Sequence, residues 1–266
     1  MQIGSNAAVG GKVRAPWRRF LLLVIVPVLV WLRPLTALAE PRIALVVGNA
    51  HYTALDPLVN PVNDARLVRE ALKQVGFTVV EVEDADLAGF RRALSEFSAV
   101  LSESHDATAL FYFAGRGVHA FDQTYLVPVD SALKGPLPWD VQVVGVSAVL
   151  KSMQVSGVSR RLVFIDAGRQ APPGTSVQIL QRFSDEDAGM DTAVAYSTGP
   201  GASASDGKGN ISPFAEAFCT AVVTPKLTLD EALDEIRFRV GAATESQQSV
   251  WTSVSLSDPF FFNWPD

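Results

Sequence analysis

The residues best placed for chemistry follow three apolar segments that are typical of buried parallel strands. These segments end at Gly48-Asn49, at Gly115-Arg116-Gly117 and at Asp166-Ala167-Gly168-Arg169. In an open parallel sheet, ligands bind at the carboxyl ends of the strands. We therefore expect the functional site at this edge of the predicted sheet.

Common nucleotide-binding and hydrolase motifs are absent from the sequence. None of the predicted strands ends in the G-x-G-x-x-G fingerprint, and the Walker pattern of glycines with lysine is missing. The G-x-S-x-G elbow of serine hydrolases is also missing. The chain has a single cysteine, which excludes an internal disulfide and a cysteine-based zinc cage.

The cysteine and the three histidines are interpreted as structural or exposed residues. Cys219 falls on the apolar face of a predicted helix, as a packed and inert thiol does. His119 lies three residues after Arg116, while His51 and His105 fall near a predicted loop and a helix end. A general base needs a nucleophile within hydrogen-bond reach, and the sequence supplies none beside these histidines.

The elements that carry the strand ends alternate along the chain from Pro41 onward. The patterns predict strands at 42–49, 77–82, 107–114, 161–166, 192–197 and 259–262, and helices at 60–76, 87–101, 212–223 and 228–241. This alternation predicts an α/β sandwich around a mostly parallel sheet with right-handed crossovers. Irregular stretches are predicted between 130 and 160 and between 169 and 191. Without a separating linker, residues 40–266 are expected to form a single domain.

Charge is distributed unevenly along the 266 residues, which carry a formal net charge of −6. Residues 1–39 contain five basic residues and no acidic one, so the rest has 17 basic against 28 acidic residues, a net −11. Such an acidic body repels phosphate backbones, which argues against a nucleic-acid partner.

The N-terminal segment has the three-part pattern of a secretory signal peptide. Arg18 and Arg19 precede an apolar run at residues 20–32, and Ala37-Leu38-Ala39 supplies the small residues before a cleavage site. The run is short for a membrane span. We therefore predict a signal peptide at 1–39 and an exported chain, periplasmic or secreted. The alternative is an uncleaved anchor in the inner membrane formed by residues 20–32.

Five matches, made by seven segments in order, resemble the caspase-like cysteine peptidase family, in its bacterial metacaspase branch. RIALVVGN and NPVNDA resemble the opening strand and first helix, and FYFAGRG followed by YLVPVD resembles Y-x-A-G-H-G followed by Y-L-x-P-x-D. FIDAGR resembles L-D-A-C-R, and AYSTGPG and the segment at 206–214 resemble the later strand and helix entry. The resemblance spans nearly all of 42–262. It implies a caspase-like three-layer sandwich around a mostly parallel six-stranded sheet.

The two residues that carry catalysis in that family are replaced in this chain. Arg116 stands where the family has its histidine, and Gly168 stands where it has its cysteine. Arginine stays protonated and cannot act as a base, and glycine has no nucleophile. We therefore predict a non-catalytic pseudo-peptidase that binds peptide or protein partners. The alternative is an active cysteine-type or other hydrolase that uses unrecognised residues.

The resemblance also implies an acidic pocket that accepts a basic side chain of a peptide. Asp166 matches one such position, Asp130 is a second candidate, and Arg169 adjoins the vacated cysteine position. Asp130 has an equal alternative as a turn residue after Pro128. We further expect Arg116 to reach across the strand ends to Asp166, because an unpaired charge in a cleft is costly.

Calcium is a ligand that the resemblance implies for some members of the family. The acidic residues Asp185, Glu186, Asp187 and Asp191 could hold it, but they lack the ligand spacing of a calcium loop. We interpret them as a solvated acidic loop and expect no cofactor.

Overall fold

Buried parallel strands form the centre of the structure, a computed structural model that describes residues 40–134, 138–171 and 189–264. The central sheet has six strands in the order β2-β1-β3-β7-β8-β9. All are parallel except β9, which pairs antiparallel with β8. The bounds are β1 Arg42–Gly48, β2 Thr78–Glu83, β3 Thr108–Gly115, β7 Arg160–Ala167, β8 Thr192–Tyr196 and β9 Trp251–Val254. The predicted mostly parallel six-stranded sheet is confirmed.

Helices cover both faces of this sheet because its central strands are apolar on both faces. In β3, Leu110 and Tyr112 join the core beneath one set of helices, and Phe111 and Phe113 join the core beneath the other. The first set is α1 Pro61–Gln74, α4 Pro213–Val223 and α5 Leu229–Ala243. The second set is α2 Leu87–Ser102 and α3 Val146–Val155. The three-layer sandwich is therefore confirmed.

The stretch between residues 130 and 160 is more regular than the sequence suggested. It contains a 3₁₀ turn at Trp139–Gln142, the short strand β6 Val144–Gly145, and α3. Strand β6 completes a small antiparallel sheet with β4 Gly117–Ala120 and β5 Gln123–Leu126. Helix α3 escaped prediction because it is only ten residues long and lacks a side-chain cap.

The prediction of a strand at 259–262 is wrong. Phe260 and Phe262 are buried by aromatic packing in the core, where Phe262 lies 6.0 Å from the ring of Phe218. Phe261 makes a single bridge to Thr228, so this apolar run is held by packing rather than by strand pairing. The sixth strand is instead the partly exposed β9, whose pattern is too short and too polar to stand out.

The N-terminal signal peptide and its alternative as an anchor concern residues 1–39, which lie outside the described residues. Within the described ranges, none of the helices has the length and apolar character needed to span a bilayer.

Candidate functional site

A cleft of about 170 Å³ lies at the carboxyl ends of β3 and β7, at the predicted edge of the sheet. The chain after β3 contributes Arg116, and the end of β7 contributes Asp166 and Gly168. Helix α1 contributes Asp64, and Ser212 is the N-cap residue of α4. The loop at 203–206 closes the remaining side.

Ser212 joins the two carboxyl groups on the floor of the cleft. Its hydroxyl donates to Asp166 Oδ2 at 2.6 Å, and its backbone N–H donates to Asp64 Oδ1 at 2.8 Å. The same hydroxyl accepts from the N–H of Ala215 at 3.0 Å, which caps α4. The local signal Ser-Pro that begins α4 therefore also fixes the floor of the cleft.

Burial shifts the acidity of both carboxyl groups. Asp64 and Asp166 are only 2% and 6% exposed. Burial, followed by the nearby charge of Asp166, raises the pKa of Asp64 to about 8. Burial likewise raises the pKa of Asp166 to about 6, against the hydrogen bond from Ser212, which lowers it.

Asp206 adds a third carboxyl group beside the floor. Its Oδ2 accepts from the N–H of Val59 at 3.3 Å, and its backbone carbonyl accepts from the side-chain amide of Asn60. In the described part of the chain, no lysine, arginine or histidine forms an ion pair with Asp64, Asp166 or Asp206. The cleft therefore collects three carboxyl groups that form no ion pair among the described residues.

The expected pairing of Arg116 with Asp166 is wrong. The Arg116 guanidinium donates from Nε and Nη2 to the backbone carbonyl of Asp56, at 3.1 and 2.6 Å, and lies 5.5 Å from the ring centre of Tyr52. Asp166 instead accepts from Ser212. The loop after β1 supplies both an acceptor and an aromatic face, so Arg116 is satisfied without crossing the cleft.

Gly168 leaves open space in the cleft. A Cβ atom at this position would have its nearest neighbours at 3.7–3.9 Å, all from the loop at 202–204, which is ordinary van der Waals contact. Gly117 differs, because a Cβ there would lie 2.6 Å from the backbone oxygen of Gly168. The position of the family's cysteine thus has room for a side chain that the sequence does not supply.

Two of the predicted pocket residues do not line the cleft. Asp130 is exposed, and its Oδ1 accepts from the N–H of Leu87 at 2.9 Å, at the start of α2, which favours the turn interpretation. Arg169 is buried behind the cleft, where Nε donates to Thr124 Oγ1 at 3.0 Å and the guanidinium stacks 4.0 Å from the ring of Tyr196. Arg169 therefore holds the end of β7 in place.

The histidines and the cysteine also lie away from the cleft. His119 is buried, its Nδ1 lies 3.1 Å from Thr124 Oγ1, and burial lowers its pKa to about 4. Cys219 is buried in α4, and burial raises the pKa of its thiol to about 12. His51 pairs with Asp84 at 2.6 Å in an exposed position.

Among the described residues, no group of three or more histidine, cysteine, aspartate or glutamate side chains is arranged so that it could hold a metal ion. Three of the four acidic residues considered for calcium, 185–187, lie outside the described residues. Asp191 accepts from the N–H of Ser257 at 3.0 Å. The expectation of no cofactor stays a prediction.

Sequence reasoning missed Asp64 and Ser212 as residues of the site. A signal for Asp64 was present, because this charged residue follows Pro61 within the buried first turns of α1, beside Ala65. Charged residues are rarely buried without a partner, so an aspartate on an apolar helix face indicates a site. No comparable signal identified Ser212 beyond its role as a helix cap.

Comparison with known proteins agrees with the fold. The sequence model of the caspase domain matches residues 41–261. The chain belongs to the caspase domain family. A solved structure of caspase-1 from Spodoptera frugiperda superposes on this caspase domain with a TM-score of 0.64 and 16% identity, and covers 85% of this chain and 93% of that chain. This likeness concerns the fold.

Two curated relatives match half of the chain. Mucosa-associated lymphoid tissue lymphoma translocation protein 1 of Homo sapiens is 30% identical over 134 residues, which is 50% of this chain and 16% of the relative. The homolog from Mus musculus is 29% identical over 134 residues, or 50% of this chain and 15% of the relative. The caspase domain described here thus matches only a small part of each relative.

Proposed function

We propose that this chain is an exported caspase domain without peptidase activity, which binds peptide or protein segments that carry arginine or lysine. The observation that carries this proposal is the set of three carboxyl groups in the cleft, Asp64, Asp166 and Asp206, which form no ion pair in the described ranges. Its export follows from the N-terminal signal pattern.

The absence of catalysis is supported by the chemistry at the two family positions. Cysteine peptidases need a thiolate and a group that protonates the leaving amine. An arginine side chain such as that of Arg116 offers no acceptor for a proton, and Gly168 offers no side chain. Cys219 cannot substitute, because its buried thiol has a raised pKa and it does not line the cleft.

Binding of a basic side chain is supported by the electrostatics of the floor. A guanidinium or ammonium group that enters the cleft favours the ionised form of Asp64 and Asp166, and so lowers their pKa. It also forms charge-assisted hydrogen bonds, which are roughly twice as strong as neutral ones. Arg116 leaves this space open, since its guanidinium is held on Asp56.

A peptide-binding measurement tests this proposal. A dye-labelled tripeptide, Ala-Ala-Arg amide, is titrated with the 266-residue chain and followed by fluorescence anisotropy. We expect the arginine peptide to bind the wild type, and to bind Asp166→Asn about tenfold more weakly. A peptide with glutamine in place of arginine is expected not to bind. Asparagine keeps the acceptor for Ser212. Asp130→Asn is the matched control, because Asp130 is exposed and lies outside the cleft.

The same chain is tested for hydrolysis with fluorogenic peptides that carry Arg, Lys or Asp before the scissile bond, with and without calcium. We expect no release above a heat-treated control. Turnover that disappears in Cys219→Ser or His119→Gln would instead establish the alternative of an active hydrolase. If the arginine peptide does not bind, the proposal that the cleft binds a basic side chain is contradicted.

A further inference from the structure

We infer that two copies of this chain associate through the outer edge of strand β2, Thr78–Glu83. The two β2 strands run antiparallel, and Val80 of each copy lies opposite Val80 of the other. This surface lies outside the cleft, so the inference goes beyond the proposed function and does not depend on it.

The outer edge of β2 is open and regular. Among the described residues, β2 is the last strand of the central sheet and pairs with β1 alone. This pairing runs without a bulge from Ile43 and Thr78 to Gly48 and Glu83. The strand contains neither lysine nor proline, two residues that often prevent pairing at a sheet edge. Such an edge offers its backbone N–H and C=O groups to another strand.

The hydrogen bonds to β1 establish which backbone groups of β2 point outward. The N–H of Asp84, directly after β2, donates to the carbonyl of Gly48 at 2.8 Å, so it points toward β1. Backbone groups of successive residues in a strand point to alternate sides, so those of residues 78, 80 and 82 also point toward β1. The N–H and C=O groups of Val79, Glu81 and Glu83 therefore point outward. A second strand bonds to these residues.

The charges of this edge are balanced within the chain. Arg66 donates to both carboxylate oxygens of Glu83, each at 2.7 Å, and Arg69 pairs with Glu81. Charged side chains normally discourage association at an edge strand. Here each glutamate has an arginine from α1 beside it, which reduces its repulsion toward a second copy. Val80 adds an apolar side chain that is 42% exposed.

One register of the two strands suits both the backbone groups and the side chains. In an antiparallel ladder, hydrogen-bonded pairs join residues whose backbone groups face each other. With Val80 opposite Val80, Val79 of each copy forms such a pair with Glu81 of the other, and Thr78 lies opposite Val82. No glutamate then faces a glutamate. The two Val80 residues form a non-hydrogen-bonded pair, in which side chains approach most closely, so their exposed apolar surface is buried.

The neighbouring registers are less favourable. A shift by two residues in one direction places Glu81 opposite Glu81, and like charges directly opposite destabilise a strand pair. A shift in the other direction places Glu81 opposite Phe77, which precedes β2, so the paired segment becomes shorter. The arrangement about Val80 has two-fold symmetry, the commonest symmetry of protein assemblies, and leaves neither β2 edge open.

Sedimentation velocity of the 266-residue chain tests the association. We expect a dimer of the wild type at a concentration of about 100 μM. In Val80→Lys two like charges meet at the symmetry axis, so we expect association to be at least about tenfold weaker. Val155→Lys is the matched control, because Val155 is 71% exposed and lies at the end of α3. Thermal unfolding measures whether both variants are folded.

Disulfide cross-linking tests the register. Val80→Cys places two thiols opposite each other at a Cα separation of about 4.5 Å, within the range that a disulfide spans. Under mild oxidation we expect a covalent dimer on a non-reducing gel. Thr78→Cys is the matched control, because its counterpart in the second copy lies about 14 Å further along the strand. The wild type is a second control, since its single cysteine, Cys219, is buried.

Three results would overturn the inference. A wild type that stays monomeric excludes the association. An assembly that is as strong in Val80→Lys as in the wild type uses a different surface. Cross-linking of Thr78→Cys without cross-linking of Val80→Cys establishes a different register. Because the wild-type mass and the cross-link of Val80→Cys are measured independently, the test remains decisive even if Val80→Lys fails to fold.

Discussion

At the amino ends of β1 and β7, the side chains of Arg42 and Arg160 are held by acceptors, whereas in the cleft at the carboxyl ends of β3 and β7 the carboxyl groups of Asp64 and Asp166 accept from neutral donors. Arg160 Nη1 pairs with Glu40 Oε2 at 2.6 Å. Arg42 donates to backbone carbonyls, including that of Phe261 at 2.9 Å, and lies between aromatic rings. In the cleft, Asp64 and Asp166 share the donors of Ser212 instead.

This contrast separates charges that hold the fold together from charges that are available to a ligand. Buried groups that lack a counter-charge destabilise the folded state, and perturbed pKa values of this kind cluster at functional sites. Paired groups such as Arg160 and Glu40 have no such capacity to bind a ligand. We therefore expect substitutions at the two ends of the sheet to act in opposite directions on stability.

The largest expected effect is a stabilisation by Asp64→Asn at alkaline pH. The pKa of Asp64 is about 8 in the folded chain, against about 3.9 for an unfolded aspartate. Between these values the folded state binds the additional proton, so stability falls as pH rises through this window. We expect Asp64→Asn to remove this loss, a gain on the order of 3 kcal/mol above pH 8.

Urea unfolding of the wild type and the variant across this pH range measures the effect. Asparagine retains the acceptor for the N–H of Ser212, so the hydrogen bond at Asp64 is preserved. Asp130→Asn serves as the control and is expected to follow the wild type, since Asp130 is exposed. If the free energy of unfolding of the wild type does not fall with rising pH, the raised pKa of the buried Asp64 carboxyl group is contradicted.

At the opposite end of the sheet, Arg42→Ala is expected to lower the free energy of unfolding by about 2 kcal/mol. The variant leaves the carbonyls of Val75 and Phe261 without their donor and removes the guanidinium from the rings of Phe77 and Phe260. Thermal unfolding measures the change. The affinity of the folded variant for the peptide is expected to stay unchanged. A loss of affinity in Arg42→Ala would contradict the distinction between residues that stabilise the fold and residues that bind the ligand.

The affinity of the cleft for the arginine tripeptide is expected to rise with pH. Asp64 is largely protonated below its pKa of about 8, so a bound cation must displace that proton. The other charged groups at the cleft are Asp166, Asp206 and Arg116. We expect a rise of about tenfold between pH 6 and pH 8, and release of a proton on binding. Calorimetry in two buffers of different ionisation enthalpy measures this proton, and binding that is independent of pH would contradict the exchange.

The five parallel strands of the central sheet and the location of the cleft could be predicted from sequence, because apolar segments and their polar ends are local signals. The direction of Arg116 could not be predicted, since it depends on the carbonyl of Asp56 and the ring of Tyr52, both far away in sequence. For the same reason the position of Asp130 outside the cleft could not be predicted, because its hydrogen-bond partner Leu87 is 43 positions away. The role of Ser212 could not be predicted either, because it depends on tertiary contacts with Asp64 and Asp166.

The smallest expected effect is a gain of weak peptidase activity in the double variant Arg116→His with Gly168→Cys. The space at Gly168 accepts a Cβ without a close contact, so Gly168→Cys alone is expected to change stability by less than about 1 kcal/mol. Gly117→Ala is the matched control and should destabilise the fold, because its Cβ would approach the Gly168 carbonyl at 2.6 Å.

A nucleophile and its base act as a unit, so neither Arg116→His nor Gly168→Cys alone should cleave a peptide. Slow release from an arginine-aminocoumarin peptide, blocked by alkylation of the new cysteine, is the expected result. A folded double variant that binds the arginine peptide without cleaving it would show that the positions at the ends of β3 and β7 have lost the geometry of a dyad as well as its side chains.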